Sequence, residues 1–172
     1  MSHHDEALPY VARGTQSVGQ YRVYDVAAQL SEADYLADRG AFFGSVHKTL
    51  NHIVTTDLIW MHRIDATGEA PGGLDAVLHD TLADTRATRE ALDARMIAAV
   101  DGMNDAALAE PIRFKARSGD DVAIATNLMV ANLCNHETHH RGQLHAMLTG
   151  LGQDLPPFDF FPFLLATGRA QG

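Results

Sequence analysis

Apolar residues recur at helical spacing in four long stretches, separated by short breaks rich in Gly, Pro or Asp. The first predicted helix runs from about Gln16 to Leu30, with Tyr21, Tyr24 and Ala28 on one side, and Ser31 then caps a short turn through Tyr35. A second helix is expected from near Ala41 to about Thr67. Its apolar positions Val46, Leu50, Ile53, Leu58, Met61 and Ile64 cover more than one stripe, which predicts a central helix. Gly68 and Pro71-Gly72-Gly73 end it. From about Asp75 to Asp101, Leu78, Leu82, Leu92, Met96 and Val100 oppose charged residues, the pattern of an amphipathic outer helix. Pro111 to Ala116 alternates like a short strand, and Ser118-Gly119-Asp120-Asp121 offers a turn into a second one. The fourth helix extends from about Ile124 to Thr149 and stops at Gly150-Leu151-Gly152. Leu155-Pro156-Pro157 then leads to an aromatic tail, Phe158 to Phe163, expected as a short docking helix. The expected fold is all-α: a four-helix bundle forming a single domain over residues 1–172, with a small β-hairpin before the fourth helix.

The inward stripe of the fourth helix reads Met129, Leu133, His136, His140, Leu144 and Met147. Two histidines thus stand where a plain bundle would place Leu. Residues four apart on a helix share a face, with Cβ atoms about 6 Å apart, so two imidazoles can converge on one ion. Taken alone, the pair is as readily two unrelated core or surface histidines. His52, among Leu50, Ile53 and Ile59 on the central helix, supplies a third candidate ligand. Three histidines form a ligand set that leaves a position for water or substrate. The donor set suits zinc, nickel or iron(II), and copper as well. The chain has ten histidines, and most of the others have plainer readings, His139 being a candidate supporting group beside the ligands. His3 and His4 fall near the terminus, His79 reads as a solvated surface residue, and His47 and His62 sit round the cylinder from His52 as surface or supporting residues.

Charge narrows the partners. Lys+Arg number 13 against Asp+Glu 22, a formal charge of −9, and no basic cluster offsets it, which argues against nucleic acid. No apolar run approaches the roughly 20 residues that span a bilayer, so no membrane partner is expected. One cysteine, Cys134, permits no internal disulfide and, with the polar start of the chain, fits a cytoplasmic location. Cys134 lies nearly opposite His136 and reads as a small buried filler.

A rival motif overlaps the pair. His136-Glu137-Thr138-His139-His140 matches the metallopeptidase pattern H-E-x-x-H, with Glu137 as general base. The extended pattern fails, since Gly142 and His145 each fall one position short. No glutamate follows Arg141, and Asp154 is a poor substitute ligand. Being 100° round from His136, Glu137 is expected to be exposed. Arg141 is expected to fix helix packing.

Ser45-Val46-His47-Lys48-Thr49-Leu50-Asn51-His52-Ile53, with Asp57 and Trp60 beyond, resembles the second helix of the DinB family. Asn135-His136-Glu137-Thr138-His139-His140-Arg141-Gly142-Gln143-Leu144 resembles that family's signature, in which H-x-x-x-H precedes Arg-Gly-Gln; a Gly common in the family's second helix is His47 here. The resemblance covers nearly the whole chain. It implies a DinB-type bundle, often dimeric, with a divalent metal on the histidines matching His52, His136 and His140. It also implies metal-dependent transferases or isomerases that use low-molecular-weight thiols. A stress-related bundle with a structural metal is the non-enzymatic alternative, and a fourth protein ligand would favour it.

Overall fold

The computed structural model describes residues 21–155, together with 161, 164 and 165. Residues 21–27 are helical (α1), so the expected start near Gln16 lies outside the described residues, as does most of the aromatic tail. α2 (Glu32–Leu36) is the short turn that Ser31 caps, its hydroxyl accepting from the Asp34 amide. Three long helices follow: α3 (Val46–Asp65), α4 (Leu82–Asp101) and, after the short α5 (Asp105–Ala109) and a hairpin, α6 (Thr126–Gly150). The hairpin pairs β1 (Pro111–Lys115) with β2 (Asp121–Ala125) in antiparallel register, Ile112 opposite Ile124 and Phe114 opposite Val122. The fold is mainly helical with one small sheet, as the hydrophobic pattern predicts.

Two apolar clusters lock the bundle. One joins Val23, Tyr24 and Ala27 of α1 to Val46, Leu50 and Ile53 of α3 and Leu144, Met147 and Leu148 of α6. The other joins Val54 and Met61 of α3, Leu92 and Met96 of α4, and Leu133 of α6. Both centre on α3, the helix whose apolar residues spread beyond one stripe.

Two boundaries differ from the sequence expectation. α3 begins at Val46 rather than near Ala41, because Gly40 and Gly44 take positive φ (71° and 82°) and Ser45 then caps the helix by accepting from the Lys48 amide. α4 begins at Leu82 rather than near Asp75. Residues 74–79 are instead drawn across α3 as a non-helical strap. Asn51 Oδ1 accepts from the Leu78 and His79 amides at 2.9 and 3.0 Å, and Asn51 Nδ2 donates to the His79 carbonyl at 3.1 Å. Thr55 Oγ1 donates to the Ala76 carbonyl at 2.9 Å. These tertiary bonds outweigh any local helical preference, because polar groups of a buried helix must find partners. His47 belongs to the same seam. It is buried rather than on the surface, with Nε2 2.9 Å from the His79 carbonyl. His79 is likewise half-buried, its Nε2 2.8 Å from Thr88 Oγ1.

The hairpin seats on α3. Phe114 meets Trp60 edge to face at 5.3 Å, and the Arg63 guanidinium lies 4.3 and 4.1 Å from the two rings. No helix among the described residues is long and apolar enough to cross a membrane.

Candidate metal centre

α6 carries His136 and His140 one turn apart, and α3 brings His52 against them. The Nε2 atoms of His52 and His136 are 3.2 Å apart, and those of His136 and His140 3.1 Å. One nitrogen from each ring lies within 4.8 Å of the others, so the three histidines could hold a metal ion. Two of the outer nitrogens are tied off. His52 Nδ1 is 2.6 Å from the Leu74 carbonyl, on the strap, and His140 Nδ1 is 2.8 Å from Gln143 Oε1. Each carbonyl requires an N–H, which places the proton on Nδ1 and leaves Nε2 as a lone pair facing inward. His136 Nε2 can donate to only one of its two neighbours. At least one of these close contacts therefore has no proton between its nitrogens, and a shared cation relieves it. Two nitrogens about 2.0–2.1 Å from one tetrahedral ion stand about 3.3 Å apart, close to the separations seen.

Burial holds these rings neutral. It is the largest cause lowering all three pKa values, to about 4 for His136 and about 4 for His140, where neighbouring histidines add to it; at His52 the Leu74 carbonyl and Asp75 partly oppose it. Phe43 stacks on His52 with centroids 3.9 Å apart and closes one side. Beyond the rings opens a cavity of about 690 Å³, whose wall includes Phe42, Leu74, Asp75, Arg117 and His139. Among the described residues no fourth His, Cys, Asp or Glu joins the group; Asp154 is not in it.

Glu137 departs from expectation. It is fully buried, not exposed, and belongs to a charged cluster between α3, α4 and α6. Arg89, also fully buried, hydrogen-bonds Asp57 and lies 3.3 Å from Glu137 Oε1. Its Nη2 is 2.7 Å from Asp93 Oδ1, near enough to pair although not aligned as a hydrogen bond. Arg141 Nη1 is 3.6 Å from Glu137 Oε2, and its Nη2 donates to Thr138 Oγ1 at 2.7 Å, so Arg141 serves packing. Burial first, then Asp57, pushes the Glu137 carboxyl well above its ordinary range; burial likewise raises Asp93, to about 6. The amphipathic reading of α4 missed that Arg89 and Asp93 face inward, since ionic residues in a stripe look solvated until a partner helix is known. Cys134 is buried, as a small filler should be.

Gln143 and Leu74 also escaped the sequence reading. The i,i+3 spacing from His140 could have flagged Gln143 as a clamp, since such pairs share a helical face. Nothing in the sequence marks a backbone carbonyl such as that of Leu74.

A mainly helical bundle with three inward-facing imidazoles on its two central helices is the class these features define. The DinB family model matches residues 14–170, and the chain belongs to the DinB family. A DinB-like protein from Bacillus subtilis, solved by crystallography, shares the fold at a TM-score of 0.60 and 14% identity, covering 87% of this chain and 98% of that one. No curated protein matches the chain.

Proposed function

We propose that this DinB-family chain is a metal-dependent enzyme acting on small molecules, with one divalent ion held by His52, His136 and His140. The convergence of three Nε2 atoms, two of them backed by carbonyl acceptors, carries the reading. Zinc, nickel and iron(II) all suit three imidazoles. Bound there, such an ion would lower the pKa of water or a thiol, or polarise a carbonyl. The chain's own part is orientation. Leu74 and Gln143 hold two rings, Phe43 covers His52, and the cavity admits a small substrate beside them. Three protein ligands favour a site open to substrate over a structural one, which is normally four-coordinate. A low-molecular-weight thiol transferred to an electrophile, or used in an isomerisation, is the reaction class the family suggests.

A peptidase reading fares worse. Its general base would be Glu137, which is fully buried and engaged by Arg89 and Arg141. Cytoplasmic location and a homodimer complete the proposal. The dimer draws on Leu128 and Phe161, 62% and 60% exposed, because the apolar circumference of α3 is covered within one chain.

Elemental analysis tests the centre. His52→Ala, His136→Ala and His140→Ala should each lose most of the metal, while His62→Ala retains it. Full occupancy in all three ligand variants refutes the assignment. Activity is tested by incubating metal-loaded protein with bacillithiol, mycothiol or glutathione and an alkylating electrophile. No acceleration under any metal turns the reading towards the structural alternative.

A further inference from the structure

The cavity beside the three imidazoles has an uneven wall. An aromatic pair is part of it: Phe42 is 85% exposed and stacks edge to face on Phe43 at 4.9 Å. Ligand pockets are lined largely by apolar and aromatic side chains, and this pair offers such a contact. The lining also includes Arg117, at the turn between β1 and β2, where Gly119 takes a φ of 94°. Arg117 makes no ion pair among the described residues, although Lys115 in the same hairpin pairs with Asp121 at 3.0 Å. Its placement is not that of a free loop. Phe114 is packed on Trp60, and β2 runs directly into α6, the helix bearing His136 and His140.

Charge makes this placement selective. On a chain of formal charge −9, an unpaired guanidinium beside a cavity is a local exception to the surrounding field. A guanidinium forks onto two oxygens of an anion. Asp75, which also lines the cavity, opposes a second negative charge and so disfavours a phosphate dianion against a carboxylate. The volume, about 690 Å³, suits a small molecule rather than a polymer.

We propose that this cavity binds a small organic carboxylate with a flat apolar body, its carboxylate on Arg117 and its body against Phe42 and Phe43. The inference names a ligand class for the proposed metal centre and rests on that reading for the reactive end of the ligand. Arg117 is a specificity-determining residue here, not a catalytic one.

The full-length protein, metal-free and zinc-loaded, is titrated calorimetrically with 3-phenylpropanoate, its neutral amide and phenyl phosphate. The carboxylate should bind both forms, and tighter than the amide or the phosphate. Arg117→Gln should weaken the carboxylate about tenfold, as loss of a charge-assisted pair does, and leave the amide unchanged. Phe42→Ala should weaken carboxylate and amide alike. Both residues are exposed, so neither variant threatens folding. Equal affinity for carboxylate and amide, tighter binding of phenyl phosphate, or no effect of Arg117→Gln overturns the proposal. So does binding that appears only with zinc and ignores Arg117, which would be direct ligation of the metal. Arg117-dependent binding in a protein that takes up no zinc would uphold the pocket while refuting the metal centre.

Discussion

Replacing Arg89 by Met removes the one guanidinium that touches Asp57, Asp93 and Glu137 together. Met approximates the stem of the side chain, so the packing loss is small and the electrical loss dominates. All three carboxyls are buried, at 0%, 2% and 0% exposure. In the native protein burial opposes the charge of Arg89, but Glu137, Asp57 and Asp93 together outweigh it and raise its pKa. Breaking a buried pair by deleting one partner costs about 3–5 kcal/mol. A second route gives a similar figure. A stranded carboxylate can escape by taking a proton, and an aspartate that titrates near 3.9 when unfolded pays about 4 kcal/mol for this at pH 7 and about 1.5 kcal/mol at pH 5. With a urea slope of about 2 kcal/mol/M for a domain of this size, the midpoint should fall by about 2 M at pH 7 and by under 1 M at pH 5. Urea unfolding followed by circular dichroism at the two pH values is the assay. Arg89→Met/Asp57→Asn should recover part of the loss, since it removes one of the three carboxyls left without their partner. A loss below about 1 kcal/mol at pH 7, or one equal at both pH values, refutes the account of a charge-compensated core.

Three further outcomes are expected. Gln143→Leu frees His140 Nδ1 and should weaken zinc binding about 10–100-fold in competition with a chelating dye, with the fold intact; unchanged affinity removes Gln143 from the site. Asn51→Ala cuts the strap 74–79 from α3 and should cost about 2–4 kcal/mol in thermal melts, with faster proteolysis between α3 and α4; a loss under 1 kcal/mol would mean the strap is held otherwise. Metal-free protein should lose stability as pH falls from about 6.5 towards 4. The three imidazoles have lowered pKa values, so the unfolded chain binds more protons in that window. His136→Leu should narrow this loss in melts at pH 7.5 and 5 with chelator present, and an unchanged pH slope would contradict it.

Local periodicity determined much of this protein. The 3–4 spacing of Met129, Leu133, His136, His140, Leu144 and Met147 defines one face of a helix, and that face remains the inward one. The spread of apolar residues round α3 marked it as central, and alternation over Pro111–Lys115 marked the strand. Such signals survive in a bare sequence because they depend on repeats of 3.6 and 2 residues within one element. Tertiary structure decided what no single element contains. Whether Glu137 met water depended on Arg89, 48 residues away, reaching it from another helix. Residues 74–79 became a strap, not a helix, because Asn51, Thr55, His47 and His52 needed backbone partners once α3 was buried. A charge or amide on a helix face reads as solvated until a neighbour removes the water, and then the cost of an unpaired polar group sets the local structure.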